Sequence, residues 1–248
     1  MYLIGDIGNT ETKICLIDRR SKIVIHKILK TNLIKFVYLK KNLKFLSKYD
    51  DKIVKILFSS VVPNTFKILK KFIEKNSNLK CNEIKKVNLS KFVKIKVDKK
   101  QVGSDRLANA IGVIDNKLNY IIVDFGTATT FDVINKNKYL GGIISPGVSL
   151  SLNTLISKAT LLPPVDLSKI STIIGKNTKS AIRSGFYWGY IGLVNNIINL
   201  IIKNTDKKYT IVLTGGLSHL FHDSIKLKNK LNKNLTIEGL FKIAKSTN

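Results

Sequence analysis

Cysteine is scarce in this chain. Among its 248 residues are two, Cys15 and Cys81, at no metal-ligand spacing and too few for a disulfide framework. A reducing cytoplasm is the compartment that fits. No basic segment or small-residue cleavage site precedes an apolar stretch, because Met1 leads directly into Tyr2-Leu3-Ile4 and then Asp6, so no secretory leader is expected. Long hydrophobic runs are missing too. The most apolar later stretch, 191–202, is interrupted by Asn195, Asn196 and Asn199, and is not read as a membrane span. The three histidines, His26, His219 and His222, form no triad or ligand set with the cysteines or carboxylates.

Acidic residues and arginine are also in short supply. Sixteen Asp and Glu face 43 Lys and Arg, a net charge of +27. Such a charge attracts any polyanion through counterion release. Yet the arginines are only Arg19, Arg20, Arg106 and Arg183, and the lysines are spread from Lys13 to Lys245 instead of forming one arm. Base-reading proteins rely on the forked guanidinium, so no specific nucleic-acid partner is expected. In a chain that otherwise uses lysine, Arg106 and Arg183 stand out as places where planar, paired donors are needed. The remaining composition, 44% hydrophobic and 24% charged, is that of a globular protein long enough for two modest cores.

What the chain does contain is a repeat. Tyr2-Leu3-Ile4-Gly5-Asp6-Ile7-Gly8 returns as Tyr120-Ile121-Ile122-Val123-Asp124-Phe125-Gly126, and the likeness runs on through Thr12 and Thr130 into two further apolar stretches. Each copy reads as a β-hairpin with an Asp-x-Gly turn. A separation of about half the chain implies two related α/β lobes, 1–118 and 119–248, with the polar stretch Asp115–Asn119 near the boundary. Further strands are expected over 52–60 and 209–213. Helices are expected over 64–75, after Gly103, over 148–159 and over 178–203. On the last of these, Gly185, Gly189 and Gly192 share a face, which predicts close approach of another helix, and Trp188 reads as packing or interface.

The turns carry chemistry as well as shape. In Asp6-Ile7-Gly8-Asn9-Thr10-Glu11-Thr12-Lys13, Gly8 permits close backbone approach to an anion, Asn9 and Thr10 offer short donors, and Lys13 adds charge. Asp6 could hold a metal ion through water; the same residues would also serve a plain turn. The second copy, Asp124-Phe125-Gly126-Thr127-Ala128-Thr129-Thr130, repeats an acid followed by a hydroxyl-rich turn, and two such turns could clasp a triphosphate. Gly103-Ser104-Asp105-Arg106 opens a helix. Ser104 or Asp105 would make an ordinary N-cap, or the carboxylate would take a proton from a substrate hydroxyl beside a guanidinium that grips an anion. The segments 141–147, 175–178 and 214–216 are glycine-bearing turns next to helices or strand ends, where Thr178 could be an N-cap.

Taken in order, Asp6-Ile7-Gly8-Asn9-Thr10, Gly103-x-Asp105-Arg106, Asp124-Phe125-Gly126-Thr127-Ala128-Thr129-Thr130, Gly142-Ile143-Ile144-x-Pro146-Gly147, Gly175-x-Asn177-Thr178 and Thr214-Gly215-Gly216 resemble the ordered motifs of type III pantothenate kinases. Ser59-Ser60-Val61-Val62-Pro63 is similar to that family's linking segment, and the likeness covers essentially the whole chain. The resemblance implies a duplicated ribonuclease H-like, actin-like fold, a homodimer, and ATP-dependent phosphorylation of pantothenate to 4′-phosphopantothenate, the first step toward coenzyme A. It implies Asp105 as proton acceptor, with Gly103, Ser104, Asp105, Arg106 and Thr178 at the substrate. It also implies Asp6, Ile7, Gly8, Asn9, Thr10, Glu11, Thr12, Lys13 and Thr127 at ATP with Mg2+, and Asp124 at a monovalent cation, K+ or NH4+. One departure is visible. The family commonly places an aromatic residue and a proline seven and four positions before the Gly of Gly-x-Asp-Arg, where this chain has Lys96 and Lys99. Similar sequences include accessory factors named for effects on transcription, the alternative reading of the same motifs.

Overall fold

A computed structural model describes residues 1–246. The chain divides into two compact units, the first made of Met1–Ile114, Asn137–Tyr139 and the C-terminal segment from Asn234, the second of Asp115–Lys136 and Leu140–Lys233.

In the first unit, β1 (Tyr2–Ile7), β2 (Glu11–Ile17) and β3 (Ile23–Lys30) form an antiparallel meander. Two short helices follow, α1 (Phe36–Asn42) and α2 (Phe45–Tyr49). Then come β4 (Lys55–Ser60), α3 (Pro63–Lys75), β5 (Cys81–Glu83), the two-residue β6 (Lys94–Ile95) and α4 (Ser104–Val113). The sheet order is β3-β2-β1-β4-β5, with β4 and β5 both parallel to β1. β6 pairs with Lys138–Tyr139, which belong to the same unit.

The second unit holds β7 (Asn119–Phe125), β8 (Ala128–Asn135), β9 (Lys138–Pro146), α5 (Val148–Lys158), α6 (Thr178–Thr205), β10 (Thr210–Thr214), α7 (Ser218–Phe221) and β11 (Asn229–Leu231). Its strands run β9-β8-β7-β10-β11, again with the last two parallel to β7. The same order of strands in both units is the duplicated ribonuclease H-like arrangement that the family resemblance implies.

Why these strands form is plain in the residues. β1, β4, β7 and β10 are near-continuous apolar runs, as central strands covered on both faces must be. Leu3, Ile56 and Phe58 pack with Leu69 and Ile73 of α3 in one core, and Ile121, Val123 and Leu213 with Val194 and Ile198 of α6 in the other. Edge strand β3 is lysine-bearing and mostly exposed. A charged, exposed edge discourages sheet-to-sheet association, and the same polarity hid β3 from periodicity.

The helix α8 (Leu235–Ser246) corrects the expected division at 118/119. It packs on α4, β1 and β4 of the first unit, so the lobes are not two consecutive halves of the chain. The close contact is made by glycine: a Cβ on Gly239 would lie 1.9 Å from the carbonyl oxygen of Ala108, and one on Gly112 would lie 2.8 Å from Leu235 Cδ1.

Other local expectations shift by a residue or more. Pro63 supplies the first turn of α3, where its missing N–H costs nothing. The glycine-bearing stretch 141–146, read as a loop, lies within β9. Among the described residues the glycines of α6 meet no helix: a Cβ at Gly185, Gly189 or Gly192 would have nothing within 4 Å. α6 is long and apolar enough by length and composition to cross a membrane, although its Tyr187, Ile191, Val194, Ile198 and Ile201 are buried in the second unit's core. Cys81 sits in β5 and is buried, and burial pushes its thiol up to about 12.

Candidate active site

In the first unit the chemistry collects where β1, β4 and β5 end. Parallel strands present their carboxyl ends together, which is where ligands of open α/β sheets bind. Asp6 is the penultimate residue of β1, beside Ser59 of β4 and opposite Lys13 of β2. Ser59 Oγ donates to Asp6 Oδ1 at 2.5 Å. Burial pushes the Asp6 carboxyl up to about 6; the nearby Asp105 carboxylate adds to this, while the Ser59 hydrogen bond and Lys13 oppose it.

The turn after Asp6 is closed by Gly8 N–H donating to the Glu11 carbonyl at 2.9 Å. Asn9, Thr10 and Glu11 are exposed at its tip. Ile7 and Thr12 are fully buried. Thr12 shares a 2.9 Å hydroxyl bond with Thr31, whose own hydroxyl donates to the Gly8 carbonyl at 2.8 Å. Ile7 and Thr12 therefore brace the turn from behind, and only their backbone is available to a ligand.

α4 brings up the second carboxylate. Neither Ser104 nor Asp105 caps this helix: Gly103 is the N-cap residue, and no side chain serves. Ser104 Oγ instead donates to Glu83 Oε1 at 2.5 Å and lies 3.2 Å from the Ser60 carbonyl. That leaves Asp105 pointing back over its own turn, where Oδ1 accepts from the Arg106 N–H at 2.9 Å. Burial raises the Asp105 pKa, with the Arg106 backbone and guanidinium and Lys85 pulling the other way. Gly103 is required by this geometry, since a Cβ there would sit 2.5 Å from Asp105 Oδ1. Of the two departures from the family pattern, Lys96 is exposed, while Lys99 Nζ donates to the carbonyls of Lys85 at 3.1 Å and Val87 at 3.3 Å.

The second unit carries a parallel arrangement. Asp124 is the penultimate residue of β7, beside Thr214 of β10 and opposite Thr130 of β8. Gly215, at φ +89°, closes against it: a Cβ there would lie 2.4 Å from Asp124 Oδ1 and 2.6 Å from Phe125 N. Gly147, at the start of α5, backs onto the hairpin turn, where a Cβ would lie 2.1 Å from the Thr127 carbonyl oxygen. Thr127 itself is exposed. The buried hydroxyl oxygens of Thr129 and Thr130 have no hydrogen-bond partner among the described residues.

The two hairpins are not identical. Between their last paired residues the first turn has Gly8 to Glu11 and the second only Gly126 to Ala128. By register Thr12 therefore corresponds to Thr129, not to Thr130. Thr178 is the first residue of α6 and exposed; the cap is Asn177, which exchanges reciprocal bonds with Ser180. Arg183 donates to the Asp166 carbonyl at 3.2 Å.

Sequence reasoning missed Ser59, Glu83 and Lys85 as site residues. Ser59 had a signal, a hydroxyl at the end of an apolar strand. Glu83 had none, because its partner Ser104 lies 21 residues away.

Asp6 and Asp105 lie near one another, and burial raises both above the ordinary carboxylate range. No cluster of three or more His, Cys, Asp or Glu suited to a metal occurs among the described residues. An ion carried mostly by phosphate and water, as Mg2+ is, needs only one or two protein carboxylates.

Comparison with known proteins agrees with this geometry. The family described as type III pantothenate kinase matches residues 2–200. A type III pantothenate kinase of Pelagibacter ubique is 54% identical over 242 residues, covering 98% of each chain. One from a Sulfurihydrogenibium species is 40% identical, covering 97% of this chain and 98% of its own. Among solved structures, a ROK family glucokinase from Streptomyces griseus superposes with a TM-score of 0.55 at 11% identity, covering 98% of both chains. A Campylobacter jejuni protein provisionally described as a Baf family transcriptional activator gives 0.58 at 20% identity, covering 97% of this chain and 96% of its own. At those identities the structures speak to the fold alone. The relatives that share half or a third of this sequence along its whole length are kinases, so the transcription-factor reading is not favoured. With its motifs, its doubled sheet and these relatives in agreement, the chain belongs to the type III pantothenate kinase family.

Proposed function

We propose that this protein phosphorylates pantothenate at its 4′-hydroxyl with ATP, using Asp105 as the base. One observation carries the residue assignment: the Asp105 carboxylate is held at the start of α4, close to Asp6, where the parallel strands of the first unit end. A carboxylate raised above its ordinary range is a better proton acceptor than a free one, provided it is ionised at the working pH.

The transfer is an in-line displacement. The pantothenate hydroxyl gives its proton to Asp105 as its oxygen forms a bond to the γ-phosphorus, and the bond from that phosphorus to the β–γ bridging oxygen breaks, leaving ADP. Little covalent work falls to the protein, so positioning and charge dominate. Arg106 supplies a forked cation for the pantothenate carboxylate. Gly103 and Ser104 line the same substrate, to which the family resemblance also assigns Thr178 at the start of α6. The turn from Asp6 to Lys13 offers backbone N–H groups and Lys13 to the ATP phosphates, and the resemblance also assigns Thr127 to ATP. Asp6 is the residue that would hold the divalent cation accompanying ATP. When bound, Mg2+ offsets charge on the phosphate oxygens. Asp124, with the Thr130 hydroxyl opposite it in the ladder, offers oxygen donors to K+ or NH4+.

The working unit is a homodimer in the cytoplasm. Support for pairing comes from the exposed apolar residues of the second unit, with Ile144 at 65%, Ile173 at 72% and Ile174 at 84% exposure, and from the open glycine face of α6. A monomer at micromolar concentration by sedimentation equilibrium would remove the dimer from this reading.

The decisive experiment is ATP consumption by the purified protein across a panel of hydroxyl-bearing acids, with K+ and then Na+ as the monovalent cation. Phosphopantothenate formation that needs both Mg2+ and K+ is expected. A folded, nucleotide-binding protein that makes none would sink the assignment.

A further inference from the structure

Glu83 is the last residue of β5, with its Cα opposite Phe58 in the parallel pairing with β4. Its two carboxylate oxygens are used separately. Oε1 accepts from Ser104 Oγ at 2.5 Å, and Oε2 accepts from the Lys85 N–H at 2.8 Å, which makes Glu83 the cap of the short 3-10 helix Ile84–Lys86. Ser104 is the residue immediately before Asp105. One carboxylate thus ties a strand end, a helical turn and the first residue of α4 together.

The turn it caps is itself clamped. Lys99 Nζ reaches the carbonyls of Lys85 and Val87, and Lys85 Nζ reaches the Lys100 carbonyl at 3.1 Å. The Lys99 ammonium satisfies carbonyls that the 3-10 turn leaves open at its end, reaching them from the segment leading into Gly103, and Lys85 of the turn bonds that segment in return. Lys85 also lies close enough to lower the Asp105 carboxyl against its burial. The α4 N-terminus lacks a capping side chain of its own, and its first residue is held from outside by Glu83 and the Ser60 carbonyl.

We propose that Glu83, bonded at once to Ser104 Oγ and the Lys85 N–H, is a positioning residue that sets where the Gly103–Arg106 turn holds Asp105, with Lys99 locking the helical turn behind it. Glu83 touches no reacting atom; it acts through Ser104. This rests on the reading of Asp105 as the base. It also accounts for Lys99 standing where the family commonly has a proline: two charge-assisted hydrogen bonds restrain the approach to Gly103 in place of a rigid ring.

The test compares E83A, E83Q, S104A and the double variant E83A/S104A in the full-length protein. Loss of a charge-assisted bond of this kind corresponds to roughly 10- to 100-fold in kcat/KM for pantothenate for E83A. E83Q keeps one acceptor oxygen and the shape, and is expected to recover most of that loss. ATP affinity, measured without pantothenate, should stay within about 2-fold, since nothing in the Asp6–Lys13 turn bonds to Glu83. The double variant should be no worse than S104A. Losses that multiply in the double variant, or E83A at wild-type turnover, would overturn the proposal. So would equal loss of ATP and pantothenate binding in both Glu83 variants.

A second readout does not need kinase activity. Amide hydrogen exchange over 103–107 should speed up in E83A and return toward wild type in E83Q. If the wild type makes no phosphopantothenate while that exchange responds, the functional reading fails and Glu83 still positions the turn. If exchange is unchanged, the positioning claim fails whatever the activity.

Discussion

Ser59 Oγ donates to Asp6 Oδ1 across the parallel β1–β4 pair, at the strand end where the Asp6 carboxylate lies near that of Asp105. The bond holds Asp6 in place from inside the sheet and partly offsets the cost of its burial.

Because burial pushes Asp6 up to about 6 from 3.8, the native state holds this proton over a pH range in which the unfolded chain has released it. Stability therefore falls as pH rises from about 4 to about 6, by up to ~1.4 kcal/mol per pH unit. D6N should flatten that part of the stability curve and raise stability at pH 7, while weakening Mg-ATP binding. Urea melts at several pH values check the sign. An unchanged slope in D6N would rule out Asp6 as its source.

Asp105 is raised by burial, and a base must be ionised to accept a proton. The rate should climb with pH through a value above the ordinary carboxylate range, then level. D105N should lower kcat by about 100-fold or more while leaving ATP affinity near wild type. Full turnover in that variant would remove Asp105 from the mechanism.

Gly103 and Gly215 each make room for a carboxylate, at 2.5 Å from Asp105 Oδ1 and 2.4 Å from Asp124 Oδ1 for an added Cβ. G103A should displace Asp105 and reduce kcat with little effect on ATP affinity. G215A carries the added strain of φ +89° and should cost about 1–3 kcal/mol of stability and blunt the response to K+. Activity titrations with K+ and thermal melts separate the two.

Gly239 approaches the Ala108 carbonyl so closely that a methyl group cannot enter without moving α8 off α4. G239A should destabilise the first unit by about 1–3 kcal/mol, read as a lower urea midpoint with unchanged slope. A midpoint equal to wild type would mean that the helix pair is not tightly held.

The sequence by itself determined the doubled hairpins, the apolar central strands and the acids that close them. These are local: an unbroken run such as Tyr120–Val123 has few ways to be buried, and an Asp-x-Gly turn is written in adjacent residues. Tertiary structure decided the rest. Edge strand β3, lysine-bearing and mostly exposed, and the glycine-bearing β9 show no clear period, and α8 joins the first unit through contacts with α4, β1 and β4 in which Gly112 and Gly239 allow close approach. The hydrogen-bond partners of Asp6 and of Ser104 were equally hidden. Ser59 lies 53 residues from Asp6, and Glu83 lies 21 from Ser104. The paired turns at Asp6 and Asp124 were legible from the start, but the hydrogen bond that holds Asp6 runs between strand ends and exists only once the sheet has formed.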